Sequence, residues 1–557
     1  MARRLVGEHQ DRGTHLVRSH AHEEDIPGTV NVQTVEGDDS YNGQALFPVP
    51  AEDPNDPLQW PKSKKIMILV VICAYSFLGN SALLGPGPYL TLWSELFGIT
   101  PAEASTLISY PNLAYGFSSF VLVPLYLKFG RRPVMLGSLL AFIAGLVVCS
   151  RANNFGVLMV RIRHKAPKYL LTAGRIIHCF GAGICEALPV QLVADVFFLH
   201  ERGKHIGYYT CMGLMTICTF GMCFAAMATI PAAYMLPTKY SWRLFFYVII
   251  GFAVALFILA FLVVEESSYD RAAHMARDTS TERSYDTASN ALEKSNDSVV
   301  VETASLPRRK SFLSTLVPWG RIDPEVHLLT FLWRPFTYFL VPQVLWVITS
   351  FGTVIGLGAL AFNYVFPIKI TAPPYNWSEA SSGVQSLGSL LGFILALPFT
   401  SSSDRLAGYL TRRNNGIREA EMRLGVMLPA MIIGPAGLVV YGLTAELNLH
   451  WIGYFIGSGL VSFGGYFYYC FTLAYAVDSY NSDTSEMLVA INVGKQAVSF
   501  GLGYGVLDWV IETGYAAIIS GAFGGVLLVN NLMLIVFMLR GKQIRRFMSK
   551  IRTKYRF

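Results

Sequence analysis

Arg175, His178 and Glu186 share one apolar stretch of the chain, the latter two lying three and eleven residues after the arginine. In a helix turning about 100° per residue, eleven steps return to within about 20° of the starting face. The three side chains are therefore expected to form one polar stripe facing a central cavity. An ionisable group inside a bilayer costs several kcal/mol unless it meets a partner or a water-filled space, and such groups mark ion and substrate pathways. A glutamate there is suited to carry a proton or to pair with a cationic substrate. The competing reading is structural, an arginine–glutamate pair that braces helix packing, or a Glu186 that lies near the inner interface and is simply hydrated.

A second polar group, Asn492, Lys495 and Gln496, interrupts another apolar run. Lys495 either lines the same cavity or snorkels to the inner surface. Asp195, Asp478 and Glu486 fall at cytoplasmic ends and read as gate or surface charges, while Asp508 and Glu512 approach an outer vestibule. Asn80, Tyr89, Asn112, Asn363, Tyr364 and the run Tyr466–Tyr469 supply amide and aromatic groups for a pocket. Aromatic walls suit amphipathic or cationic ligands, although rings in membrane helices also serve as packing and interface anchors.

These residues must be held by membrane helices. Of the 557 residues, 53% are hydrophobic and only 15% charged, against about 25% charged in soluble domains. A stretch of about 20 apolar residues crosses about 30 Å of hydrocarbon as a helix. Such stretches are expected at 66–90, 105–128, 133–150, 155–195, 206–230 and 243–264. Six more follow at 337–367, 380–400, 424–442, 451–477, 487–511 and 515–539. The fold class is thus all-α membrane protein, twelve transmembrane helices in two pseudo-symmetric six-helix bundles. The expected domains are a polar cytoplasmic segment 1–62, a bundle 63–264, a cytoplasmic and largely disordered loop 265–336, a bundle 337–540 and a basic tail 541–557.

Lysine and arginine collect on the cytoplasmic side of membrane proteins. Placing both termini inside puts Lys64, Arg131, Arg132, Arg405, Arg412 and the tail cations on that face, and leaves few on the other. The net charge of +7 is explained by this topology, with no nucleic-acid partner. The eight cysteines lie in or beside apolar runs without CxxC spacing, so neither a disulfide framework nor a metal site is expected. No signal peptide precedes the first span. The sequon Asn376-Trp377-Ser378 falls on the outer side, as a glycan acceptor must. Arg308-Arg309-Lys310-Ser311 in the central loop reads as a solvated charge run, with a basophilic kinase site as the alternative.

The turn Pro124-Leu125-Tyr126-Leu127-Lys128-Phe129-Gly130-Arg131-Arg132-Pro133 resembles the inner-loop signature of the major facilitator superfamily, G-x-x-x-D-R-x-G-R-R. The equivalent turn of the second half carries Ser403-Asp404-Arg405. With twelve spans and a long central loop, the resemblance covers residues 60 to 545. Asp53-Pro54-Asn55-Asp56-Pro57-Leu58-Gln59-Trp60, His200-Glu201-Arg202-Gly203-Lys204, Tyr375-Asn376-Trp377-Ser378 and Gly416-Ile417-Arg418-Glu419 are similar to a fungal subgroup of the drug:proton antiporter branch. Arg175 resembles the arginine of the family's fourth-helix signature, with His178 and Cys179 replacing the usual glutamine and glycine.

The resemblance implies a major facilitator fold and a non-enzymatic secondary transporter that acts by alternating access, without a cofactor and as a monomer. It implies small-molecule substrates, protons and the lipid bilayer as partners, and a substrate and proton pathway through Arg175, His178, Glu186, Asn363, Asn492 and Lys495. Gly130, Arg131, Arg132, Asp404 and Arg405 would form the gating loops. Proton-coupled efflux of a drug, toxin or secondary metabolite is the leading function, at the plasma membrane or else the vacuolar one. Uptake of polyamine-like organic cations and a non-transporting sensor are the alternatives. No G-x-x-x-x-G-K-[ST] run supports an ATP-driven pump.

Departures from the signatures carry information. Leu127 and Lys128 stand where the family has an acid and an arginine, so the latch between halves must be weaker or rely on Arg131, Arg132 and Asp404. In span five Gly213 and Gly221 remain, but Met222 replaces the proline of the antiporter signature. Residues 161–173 put four positive charges and a proline before the Gly174-Arg175 pair, on the outer side. They are either an extracellular loop with the helix starting near Tyr169, or a translated intron, the favoured of the two. Finally, Gly85-Pro86-Gly87-Pro88 is expected to break span one near a moving gate.

Overall fold

The computed structural model describes residues 29–31, 55–152, 166–189, 192, 196, 226–269, 311–317, 319, 322, 327–357, 362–399, 402–414, 417–480 and 484–555. Gly213, Gly221 and Met222 of span five, Asp195, residues 153–165 and the Arg308–Lys310 run lie outside these residues, as do the side chains of Glu186 and Asp404.

Helix ends follow the local chemistry. Span one runs as a helix from Lys62 to Leu84 and breaks at the Gly-Pro repeat, where two prolines withhold N–H groups. It resumes as a short 3-10 turn, Gly87–Tyr89, and the helix Leu90–Phe97. Thr100 caps span two, Pro101–Phe129, by accepting from the Glu103 N–H at 3.1 Å. Span three is Arg131–Ser150, and span four begins as the helix Ala166–Ala182. The outer end of span five is Thr229–Met235 and span six is Trp242–Val263.

In the second half, Leu328–Thr337 forms a helix of its own. The segment Thr330–Leu340 meets the helix Pro342–Ile355 at 87°, with Pro342 at the first turn of the second helix. Pro342–Ile355 and, after it, Phe362–Thr371 are the helices of span seven. Glu379–Phe399 is span eight, Ala420–Leu447 span nine and Ile452–Ser479 span ten. Thr484–Thr513 is span eleven, and Ala516–Phe523 with Gly524–Tyr555 forms span twelve. The basic tail is thus helical through Tyr555, where the sequence reading ended the bundle at 540.

Among the described residues, seven helices are long and apolar enough to cross a membrane, and eight when the bent pair is one span. Span two and span eleven, 29 and 30 residues long, fall short on apolarity rather than length. Their polar residues meet across the seam between the two halves: the Asn112 amide donates to Ser499 Oγ at 3.3 Å. The halves interlock there. Leu90, Ile99, Ala104 and Ile108 of the first half join the core of the second, while Val489 and Val493 of span eleven join the core of the first. The outward faces carry a belt of exposed apolar side chains, among them Val70, Phe252, Ile258, Leu262, Val529 and Leu539. Such a surface would aggregate in water and is matched to lipid.

Candidate functional site

Arg175 is fully buried. Its Nε donates to the Leu107 carbonyl of span two at 2.5 Å, and Nη2 donates to the Leu83 carbonyl of span one at 2.9 Å. Both acceptors are carbonyls that lack a helical donor. Leu107 lies four residues before Pro111, which has no N–H. Leu83 lies in the last turn before the Gly-Pro break. The guanidinium also sits over the Trp93 ring at 5.8 Å, while Nη1 has no hydrogen-bond partner. Arg175 thus clasps spans one and two at the two places where proline opens their helical ladders.

His178 turns elsewhere. It is buried against Phe142 of span three, ring centroids 6.0 Å apart. A Cβ on Gly145 would come within 2.2 Å of the His178 backbone nitrogen, so spans three and four touch through the glycine. Beyond Ala182 the helix tightens to a 3-10 turn over Gly183–Glu186. Each 3-10 residue advances about 120° rather than 100°, so the stripe projected through residue 186 does not follow a single helix. Around this turn, the Tyr115 hydroxyl lies 2.9 Å from Cys185 Sγ and accepts from the Asn80 amide at 3.1 Å. Tyr89 packs inside the first half, donating to the Ala232 carbonyl at 2.9 Å.

The second polar group is brought to the middle of the molecule. Lys495 is 3% exposed, its Nζ 4.4 Å above the Phe351 ring of span seven. Phe351 in turn packs against Tyr469, centroids 4.6 Å apart. Tyr469 belongs to a π-helical turn, Tyr468–Thr472, in span ten; single π turns occur often at functional sites. Asn492 and Gln496 are buried, and Asn492 Nδ2 and Gln496 Oε1 have no hydrogen-bond partner. Both side chains lie on span eleven where it passes Gly116 of span two, the Gln496 Cβ 2.5 Å from a Cβ built on that glycine. Phe351 carried no polar atom and no motif in the sequence, so nothing singled it out.

The outer ends of the halves are closed. Thr229 Oγ1 donates to Ser386 Oγ at 3.0 Å and to the Gly383 carbonyl at 3.3 Å, joining spans five and eight. The Ser109 and Tyr364 hydroxyls lie 3.3 Å apart across spans two and seven. Gly87, in the span-one break, packs on Asn363, whose Cβ lies 3.3 Å from a Cβ built on the glycine. The sequence placed a gate at this break. Asp508 and Glu512 are exposed beyond it. Asn376 is exposed in the outer loop with a φ of 51°, a left-handed conformation that asparagine tolerates.

At the turn between spans two and three a carboxylate arrives from another element. The Glu266 carboxylate, just after span six, accepts from the Arg131 N–H at 3.0 Å and the Arg132 N–H at 3.1 Å. It therefore caps span three and interacts favourably with the positive end of that helix. Gly130, with a φ of 101°, is required there, since a Cβ would lie 2.4 Å from Glu266 Oε2. Arg132 is buried and donates through Nη2 to the Phe261 carbonyl at 2.7 Å and through Nη1 to the Thr315 carbonyl. Arg405 is exposed, Asp478 pairs with Arg423 at 2.5 Å and Glu486 with Arg334 at 3.1 Å. Replacing Glu266 by alanine leaves the first N–H groups of span three without a carboxylate. The expected loss is about 1–2 kcal/mol, read as a lower melting temperature of the purified protein, with Glu266→Gln retaining part of it.

The fold has counterparts among known proteins. A D-xylose-proton symporter structure superposes with a TM-score of 0.54 over 84% of this chain and 97% of that one, at 12% identity. A peptide transporter POT structure does so with a TM-score of 0.53 over 87% and 96%, at 16% identity; both show the shared fold. The MFS-type transporter penM of Penicillium rubens is 25% identical over 79% of this chain and 78% of its own. Protein HOL1 of Saccharomyces cerevisiae is 23% identical over 88% and 91% respectively. The pattern of the Major Facilitator Superfamily matches residues 67–504, and the chain belongs to that family of membrane transporters.

Proposed function

We propose that this transporter exports a small amphipathic organic molecule, a drug, toxin or secondary metabolite, by alternating access coupled to protons. The observation that carries the reading is the buried polar group of span eleven: Lys495 lies over the Phe351 ring, which packs on Tyr469, while Asn492 Nδ2 and Gln496 Oε1 have no hydrogen-bond partner. Partnerless buried amide atoms are costly in a static core, and a bound substrate or water in an opened cavity supplies what they lack. An aromatic shelf with polar atoms at its edge suits a ligand with an apolar body and a few hydrogen-bonding groups. Glu186 is the proton carrier in this reading, and Arg175 holds the helices on which the outer gate is built. The protein works as a monomer in the plasma membrane, with Asn376 as a glycan acceptor.

The test is retention of a fluorescent amphipathic cation such as rhodamine 6G, and of labelled spermidine, in yeast expressing the chain. Expected is lower dye retention than in control cells, abolished by a protonophore and by Glu186→Gln. Spermidine accumulation that collapses with the proton gradient would replace this reading with organic-cation uptake. No flux of either compound by protein at the cell surface would favour the sensor.

A further inference from the structure

Residues Thr29–Asn31 form a strand, β1, that pairs antiparallel with β2, Ile417–Glu419, at the cytoplasmic face of the second half. Thr29 lies opposite Glu419, Val30 opposite Arg418 and Asn31 opposite Ile417. The N-terminal segment, which leads into span one of the first half, thus adds a strand to the second half.

The receiving segment is braced. Glu419 pairs with Lys542 at 2.9 Å, and Arg423 with Asp478 at 2.5 Å. Between them, Glu421 accepts from Arg545 Nε at 2.7 Å and Nη2 at 2.5 Å. Arg545 is fully buried, and these two hydrogen bonds to Glu421 compensate its charge. These alternating residues tie β2 to the cytoplasmic extension of span twelve and to the inner end of span ten. Strand addition to a pre-formed edge needs only backbone groups from the incoming chain. Three residue pairs are marginal on their own, which makes the contact reversible.

From Asn31 to Asn55 the chain runs 24 residues, enough for about 80 Å when extended. A connection of that reach lets the strand dock and detach. What it can do is bind one arrangement of the halves better than the other, and so shift the balance between them. In this structure the strand is docked while the outer gate at Thr229 and Gly383 is closed.

We propose that Thr29–Asn31 is a detachable strand of the chain itself that docks on the second half and favours the state with the outer gate closed. The second clause rests on the alternating-access reading; the docking does not.

Two measurements on the full chain in membranes test it. In the first, Val30→Cys with Arg418→Cys is oxidised, with a protease site inserted between residues 40 and 50 to reveal the link. The opposed pair is expected to cross-link at least fivefold faster than Val30→Cys alone or Val30→Cys with Arg412→Cys. Equal rates would overturn the docking. In the second, Ala233→Cys, buried in the closed gate, is labelled from outside with a membrane-impermeant maleimide. Removing residues 1–32 is expected to raise the labelling rate two- to fivefold. A cross-link that forms while labelling stays unchanged would overturn the coupling and leave a passive dock.

Discussion

Arg175→Ala is expected to abolish transport and to destabilise the first half by about 2–4 kcal/mol. The substitution removes donors from two carbonyls, Leu107 and Leu83, at once. Hydrogen bonds to a charged donor contribute about 1.5–3 kcal/mol each in proteins, and less between membrane helices, about 0.6–1.7 kcal/mol. The loss is not offset by water, because the site is sealed. Arg175→Lys is expected to fail nearly as badly: an ammonium on a flexible stem does not reproduce the forked guanidinium geometry. A second substitution separates a packing role from a chemical one. Pro111→Ala provides the N–H that the Leu107 carbonyl lacks, so Pro111→Ala with Arg175→Ala should recover part of the lost melting temperature. If transport returns with stability, Arg175 is a brace; if stability returns alone, the guanidinium also serves the substrate or proton path. A double-mutant cycle without any coupling between 111 and 175 would contradict the carbonyl argument altogether.

The largest effect without a change of charge is expected at Gly383. A Cβ there would stand 2.3 Å from the Thr229 backbone oxygen and 3.0 Å from the Ala233 Cβ. The first neighbour is backbone and cannot step aside as a side chain tip would. Gly383→Ala should therefore weaken closure of the outer gate, and Gly383→Leu should prevent it. Under the proposed alternating access the halves part as bodies, so a wedge at spans five and eight also separates Gly87 from Asn363. The expected outcome for Gly383→Leu is a folded protein at the cell surface with transport reduced at least tenfold. Asn363→Cys in that background should react with an impermeant maleimide many times faster than in the parent. Unchanged labelling would mean that the outer ends close by other contacts.

Much of this protein can be read along the chain. Helix-length apolar runs and the sidedness of lysine and arginine are local properties, set by the thickness of the bilayer and by charge across it. They located the two bundles, the turn at Gly130 and the break at Gly85–Pro88, which needs only two prolines; Ser403–Arg405, expected as a turn, lies in the helix Ser402–Arg413. The helix Leu328–Thr337 escaped, because residues up to 336 read as central loop, and the 87° bend between Thr330–Leu340 and Pro342–Ile355 is a tertiary feature with no local signature.

What depended on tertiary structure is which distant groups meet. Projection on an ideal helix puts Arg175, His178 and Glu186 on one side, but a side chain's partner is set by the neighbouring helix. Arg175 reaches carbonyls 68 and 92 residues away, freed by proline and a helix end. His178 meets span three through a glycine, and the 3-10 turn at Gly183–Glu186 changes the angular count. Glu266 caps a helix 135 residues earlier in the chain, a role that no motif around it announces. Lys495, which the sequence left between cavity and surface, is buried against Phe351 of span seven, a partner that no motif named. Hydropathy is summed over one segment at a time, so it assigns each helix to the membrane. The pairing of polar groups depends on the relative rotation of several helices, which only their packing decides.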